Sequence, residues 1–403
     1  MEAMTGKRRI KLALLLGALG AMGPLTIDMY LPSFPTIASE LQTSASSVQL
    51  SLTACLLGLG AGQLIMGPMS DAIGRKKPLL IALMAYLFAS LAISLSPNIS
   101  FLIGARFLQG FAASAGIVIS RAIVRDMYSG RELTKFFGML MLVSNLAPIL
   151  APIGGSGILL FTSWNGIFVV LGAVGFLLFL VVSLKLEETL PPENRVPSTI
   201  SQTLKNFLSL VKNRQFAGYA LAQGFMIAGV FAYVSGTPFV YQNIYGVSPQ
   251  QFSLLFGMNG FGLIMGTQLV ARLSHLVPEK RFLMAGLSLA GTVTTALVIA
   301  VLLDGPLLSL VIPLFFFVMS IGMVATASFT LAMQSQGHIA GSASAMLGLL
   351  PFLLGSITAP LVGIAGEDTA VPMGVIMFST SFLALSAYFG LVRPAEKRAS
   401  EHV

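Results

Sequence analysis

Apolar residues along this chain come in unbroken runs of about twenty, not in the three-and-four spacing of a helix with one wet face. Twelve runs can be marked, at 12–33, 47–69, 78–96, 99–122, 134–157, 165–185, 215–237, 250–271, 282–303, 307–331, 341–365 and 370–392. A helix rises about 1.5 Å per residue and the hydrocarbon core of a bilayer is about 30 Å thick, so such a run can cross it. Lipid offers no partner to backbone N–H and C=O groups, so spanning runs of this kind predict helices. The expected fold is an all-α integral membrane protein of twelve transmembrane helices.

The polar residues between the runs add an orientation. Lys and Arg gather at the N-terminus (Lys7, Arg8, Arg9, Lys11), after the second run (Arg75, Lys76, Lys77), after the fourth (Arg125, Arg131, Lys135) and around the gap after the sixth (Lys185, Arg195, Lys205, Lys212, Arg214). Others follow the eighth run (Arg272, Lys280, Arg281) or close the chain (Arg393, Lys397, Arg398), and Arg106 and Arg121 lie inside the fourth run. The odd-numbered gaps carry only Glu40, Asp304, Glu367 and Asp368 as charged residues. Basic residues resist translocation, so both termini are expected in the cytoplasm. The net charge of +8 then belongs to loop ends facing anionic lipid and is no sign of nucleic-acid binding. With 55% hydrophobic and 9% charged residues, the chain has room for short loops but for no soluble catalytic domain. Cys55 is the only cysteine, which excludes an intramolecular disulfide.

The most polar gap, Glu187 to Arg214, contains Pro191, Pro192 and Pro197 and divides the chain into halves of six runs. The expected organisation is an N-terminal bundle at 1–186, a linker at 187–214, a C-terminal bundle at 215–392 and a tail at 393–403. Within the linker, Ile200, Leu204, Leu208 and Val211 share one helical face, which suits either a helix on the membrane surface or a flexible connection. The halves echo each other. Leu64-Ile65-Met66-Gly67 closes the second run and Leu263-Ile264-Met265-Gly266 the eighth; Ala151-Pro152-x-x-Gly155 in the fifth returns as Ala359-Pro360-x-x-Gly363 in the eleventh. Two pseudo-symmetric repeats around a site near the midplane are a common plan of secondary transporters.

Ionisable residues inside the runs are the main chemical candidates, because each costs about 2.5–3.5 kcal/mol at a helix centre. Asp28 stands about 24 Å from the start of the first run and Arg106 about 10 Å into the fourth, which descends from the other side. Their depths are similar, so they can pair or share a wet cavity. Tyr30, Gln109 and Asn145 in the first half, and Gln223, Tyr233, Phe256 and Asn259 in the second, are candidates for lining a substrate cavity. Pro148 and Pro152 bend the helix that carries Asn145. His275, His338 and His402 lie outside the runs, and no H-E-x-x-H or G-x-S-x-G string occurs, so no zinc site or hydrolytic nucleophile is supported.

The most specific string is Gly67-Pro68-Met69-Ser70-Asp71-Ala72-Ile73-Gly74-Arg75-Lys76-Lys77. It resembles the signature loop of the major facilitator superfamily, and the twelve-run plan extends that resemblance over the whole chain. Gly23-Pro24-x-x-x-Asp28-Met29-Tyr30-Leu31-Pro32-Ser33-Phe34-Pro35 and Arg106-Phe107-Leu108-Gln109-Gly110 resemble the first and fourth spans of its bicyclomycin-resistance (Bcr/CflA) branch of drug:proton antiporters. The fifth run resembles the antiporter motif of spaced glycines, with Gly138, Pro148, Pro152, Gly154 and Gly155 in place and Ala147 and Ala151 where glycines are usual.

The resemblance implies that Gly67, Asp71, Gly74 and Arg75 form a conformational latch completed by a fourth-span acid, a place held by Asp126. The matching loop of the second half, Gly266 through Arg281, has Val270 where an Asp would stand, so the latch is asymmetric. It further implies proton-coupled efflux of small drugs by alternating access, with Asp28 and Arg106 coupling proton to substrate. A proton-coupled carrier of one metabolite on the same fold is the alternative, and an intramembrane enzyme a remote one. No cofactor is expected beyond the proton gradient. The expected partners are small drugs, protons and membrane lipid, for a monomer in the plasma membrane.

Overall fold

The computed structural model describes residues 6–195, 200–334, 336 and 340–395, which are helical almost throughout. In the first half, α1 (Gly6–Asp28) is followed by a 3-10 turn at Leu31–Ser33 and the short α2 (Phe34–Glu40). Then come α3 (Ala45–Ile73), α4 (Lys76–Ser94), α5 (Ile99–Met127), α6 (Gly130–Ile158) and α7 (Trp164–Lys185). The connecting segment carries α8 (Ile200–Lys212). The second half holds α9 (Arg214–Phe239), α10 (Pro249–Leu273), α11 (Glu279–Leu302), α12 (Leu307–Met333), α13 (Ala340–Leu361) and α14 (Val371–Ala387). Among the described residues, twelve helical segments are long and apolar enough to cross a membrane; the first joins α1 to α2 as Arg9–Glu40.

Helix starts follow local chemistry. Asn98 Oδ1 accepts from the Phe101 N–H at 3.0 Å and opens α5. Asn213 does the same for α9, accepting from Gln215 and Phe216 at 3.1 Å each. Ser248 and Gln251 form a reciprocal capping box on α10 at 3.2 and 3.0 Å. Small residues set how closely the helices cross. A β-carbon on Gly110 of α5 would lie 2.2 Å from the Cys55 carbonyl oxygen of α3, and one on Gly266 of α10 only 2.0 Å from that of Met319 in α12. The two halves therefore repeat one contact, second span against fourth and eighth against tenth, with a bare backbone at the crossing.

The chain forms two compact units: residues up to Ser33 with Ala54–Ile200, and Phe34–Thr53 with residues from Ser201 onward. The units do not divide at a single point near residue 186. Residues 187–200 belong to the first unit. The segment 34–53 belongs to the second, because its side chains pack there: the Phe34 and Phe239 rings are 5.9 Å apart, and Gln49 Nε2 donates to the Ser235 carbonyl at 3.1 Å.

Candidate functional site: a buried acid, a buried arginine and an ionic cluster

Helix α1 ends at Asp28, its last ladder bond running from the Met29 N–H to the Leu25 carbonyl at 3.2 Å, and Pro32, which has no N–H, follows in the 3-10 turn. Asp28 is 6% exposed, and among the described residues no hydrogen bond or ion pair reaches its carboxylate. Arg106 is fully buried, and of the two arrangements open to it and Asp28, a direct pair is not the one present here. The guanidinium is used elsewhere. Nη1 donates to Gln109 Oε1 at 2.5 Å and Nη2 to the Thr26 carbonyl at 3.0 Å, in the last turn of α1, where intrahelical donors run out. Its central carbon stands 4.1 Å from the Tyr30 ring centroid and 5.6 Å from that of Phe168, over faces that attract a cation.

The arginine closes a polar ring across three helices. Gln109 Nε2 donates to Ser90 Oγ at 2.8 Å, Ser90 Oγ donates to the Tyr86 carbonyl at 2.7 Å, and the Tyr86 hydroxyl shares a 2.8 Å bond with Thr26 Oγ1. Tyr30 and Gln109, expected in a cavity wall, are instead fully buried members of this packing. Sequence reading missed Thr26, Tyr86 and Ser90, because a hydroxyl in an apolar helix usually satisfies itself on its own backbone and gives no signal of a distant partner.

At the basic end of the same unit the structure brings Asp71, Arg75 and Asp126 together. Arg75 is 5% exposed. Its Nη1 donates to Asp71 Oδ1 at 2.5 Å and to Ser70 Oγ at 2.8 Å; its Nε and Nη2 donate to the two carboxylate oxygens of Asp126 at 2.8 and 3.3 Å. The planar fork suits such two-point binding of a carboxylate. Thr189 adds a donor to Asp126 Oδ2 at 3.1 Å. Gly74 turns the chain with φ +100°, a conformation that strains any side chain, and a β-carbon there would meet Glu188 Oε2 at 2.6 Å.

Glu188 is a further member that sequence reading missed. Its two oxygens accept from the Arg75 and Lys76 backbone N–H groups at 2.8 and 3.1 Å, and so cap α4 from the segment that follows α7. Partial burial alone would raise its carboxyl; the N–H groups of Leu190, Arg75, Lys76 and Thr189 outweigh that and hold it below the usual glutamate range. An acid following the basic end of a span reads as one more loop charge, which is why no pattern marked it.

The other candidates separate. Gly67 makes only ordinary contact, with Val118 at 3.7 Å from a notional β-carbon. In α6, a β-carbon on Gly155 would fall 1.8 Å from the Met29 carbonyl oxygen, so backbone meets backbone there. Gly138 has nothing within 4 Å of that position and Gly154 only the tip of Met29 at 3.8 Å, so of the three motif glycines Gly155 alone makes a close helix contact. Pro148 and Pro152 lie inside α6, which remains one helix. The Asn145 side chain lies outside the described residues. In the second unit Gln223, Tyr233, Phe256 and Asn259 are all buried, with Asn259 Nδ2 donating to the Tyr233 hydroxyl at 2.8 Å and the Tyr233 and Phe256 rings stacked at 5.1 Å. Among the described residues no group of three or more His, Cys, Asp or Glu could hold a metal ion.

Two units of spanning helices, with charge held between neighbouring helices, define a multi-pass membrane protein with the fold of secondary transporters. The chain belongs to the Major Facilitator Superfamily, whose family model matches residues 14–360. It is 57% identical over 391 residues to the uncharacterized MFS-type transporter YdgK of Bacillus subtilis (strain 168), covering 96% of this chain and 97% of that protein. It is 34% identical over 378 residues to the bicyclomycin resistance protein homolog of Haemophilus influenzae, covering 94% and 95%. In fold it is similar to a bacterial homolog of the human lysosomal transporter Spinster, with a TM-score of 0.74 over 97% of this chain and 98% of that one at 15% identity.

Proposed function

We propose that this transporter expels small drugs across the plasma membrane in exchange for protons, with Asp28 as the group that carries the proton. The observation behind this reading is the buried carboxylate at the end of α1, for which no basic partner stands among the described residues. The two protonation states of a carboxylate differ mainly in their cost of leaving water, so a site that is wet on one face and dry on the other in turn loads and unloads a proton. Because Arg106 is held by Gln109, Thr26 and Tyr30, its role is to fix α1, α4 and α5 around that acid rather than to neutralise it. The Asp71–Arg75–Asp126 cluster acts as the latch whose breaking and remaking accompanies the change of access. Support for a drug as substrate comes from the bicyclomycin-resistance relative and from the matching first-span string Gly23 to Pro35.

The test is proton movement in proteoliposomes under an imposed pH gradient, wild type against Asp28→Asn, with amphenicol-like and cationic drugs. Drug addition should dissipate the gradient in wild type and not in the variant. A panel on which no drug moves protons turns the reading toward a metabolite carrier. Normal exchange by Asp28→Asn removes Asp28 from the coupling.

A further inference from the structure

Helix α8, which from Ser201 onward belongs to the second unit, carries a surface that the transport reading leaves unused. Helix α8 ends at Lys212, and only Asn213, which caps α9, separates it from the spanning segment Arg214–Ile244. That short joint pins α8 at the level where α9 leaves the membrane. One side of α8 is tied to the protein: Leu210 is fully buried, and Asn206 Nδ2 donates to Ser342 Oγ of α13 at 2.9 Å. The other apolar side is bare, with Leu208 64% and Val211 53% exposed. Lys205, Lys212 and Arg214 are exposed beside it, and from residue 196 to 278 the sequence holds no Asp or Glu.

A helix with a bare apolar arc next to cations, fixed at the membrane edge, matches an anionic lipid surface in both chemistry and position. We propose that α8 is a lipid-docking element. Leu208 and Val211 enter the boundary between headgroups and acyl chains, while Lys205, Lys212 and Arg214 engage anionic phospholipid headgroups. A water-exposed linker would leave two large aliphatic side chains in solvent, and a protein partner would need acids to meet the three cations. Each cation contributes roughly fivefold to partitioning onto an anionic surface.

The native sequence eases the test, because Cys55 is its only cysteine and is buried. Val211→Cys in the full-length protein, labelled with an environment-sensitive fluorophore, is placed in nanodiscs of phosphatidylcholine alone or mixed with phosphatidylglycerol. Quenching by lipids brominated near the glycerol end reports contact with the bilayer. The same label at Ser209→Cys, about 160° around the helix, is the control. Expected is strong lipid quenching at 211 and not at 209, at least twofold greater with phosphatidylglycerol. The increment should be largely lost in Lys205→Gln/Lys212→Gln and in high salt. A label at 211 that stays open to aqueous iodide in both lipids overturns the docking. Quenching that ignores phosphatidylglycerol and both lysines overturns the anionic recognition.

Discussion

Replacing either acid that binds Arg75 should cost unequal amounts, and the inequality is set by geometry. Asp126 has a side chain 15% exposed and takes two bonds from the arginine; Asp71 takes one and is 42% exposed. Asp126→Asn keeps the shape but removes the charge, leaving a buried guanidinium with one half-solvated anion. Breaking a fully buried pair costs about 3–5 kcal/mol and a charge-assisted bond is worth about 1.5–3, so with Asp71 and Ser70 still bonded a loss of about 2 kcal/mol is expected. Asp71→Asn removes a carboxylate that is itself in contact with water, so it should cost about 0.5–1 kcal/mol. The double variant leaves Arg75 with no anion and should exceed the sum by about 1 kcal/mol. Thermal unfolding in detergent can be followed through Trp164, the only tryptophan, which is buried in the same unit. Equal losses from the two single variants, or a strictly additive double, would show that Arg75 does not bind the acids as a coupled cluster.

Two further outcomes follow from the same geometry. Gly155→Ala places a carbon where the Met29 carbonyl oxygen stands and should lower stability and yield sharply, whereas Gly138→Ala meets open space and should be neutral or gain about 0.5–1 kcal/mol; expression and unfolding midpoint distinguish them. Glu188 should give stability its own pH dependence. Its folded value is depressed, so its contribution is present above the unfolded value of about 4.3 and is lost as pH falls through the lower folded value. Glu188→Gln should flatten the stability curve below about pH 4.3, and an unchanged slope there would argue against the cap.

What the sequence determined by itself was the spanning plan. Twelve apolar runs dictate helices because lipid leaves backbone groups no other partner, and the runs marked from sequence meet spanning segments in the structure. The signature string likewise marked Asp71, Gly74 and Arg75, since a turn glycine between an acid and a base is a local arrangement that one stretch of chain encodes. Tertiary structure decided everything that depends on which helices are neighbours. Asp28 and Arg106 stand at similar depths in the sequence, yet the arginine turns to Gln109 on its own helix and to a carbonyl of α1. Depth is one-dimensional and says nothing of azimuth. Glu188, Thr26 and Tyr86 acquire their roles only when α7 and α1 fold against α4, and Gly155 differs from Gly138 only because the end of α1 passes over one of them. The segment 34–53 joins the second unit for the same reason: its packing partners Phe239 and Ser235 are about two hundred residues away along the chain.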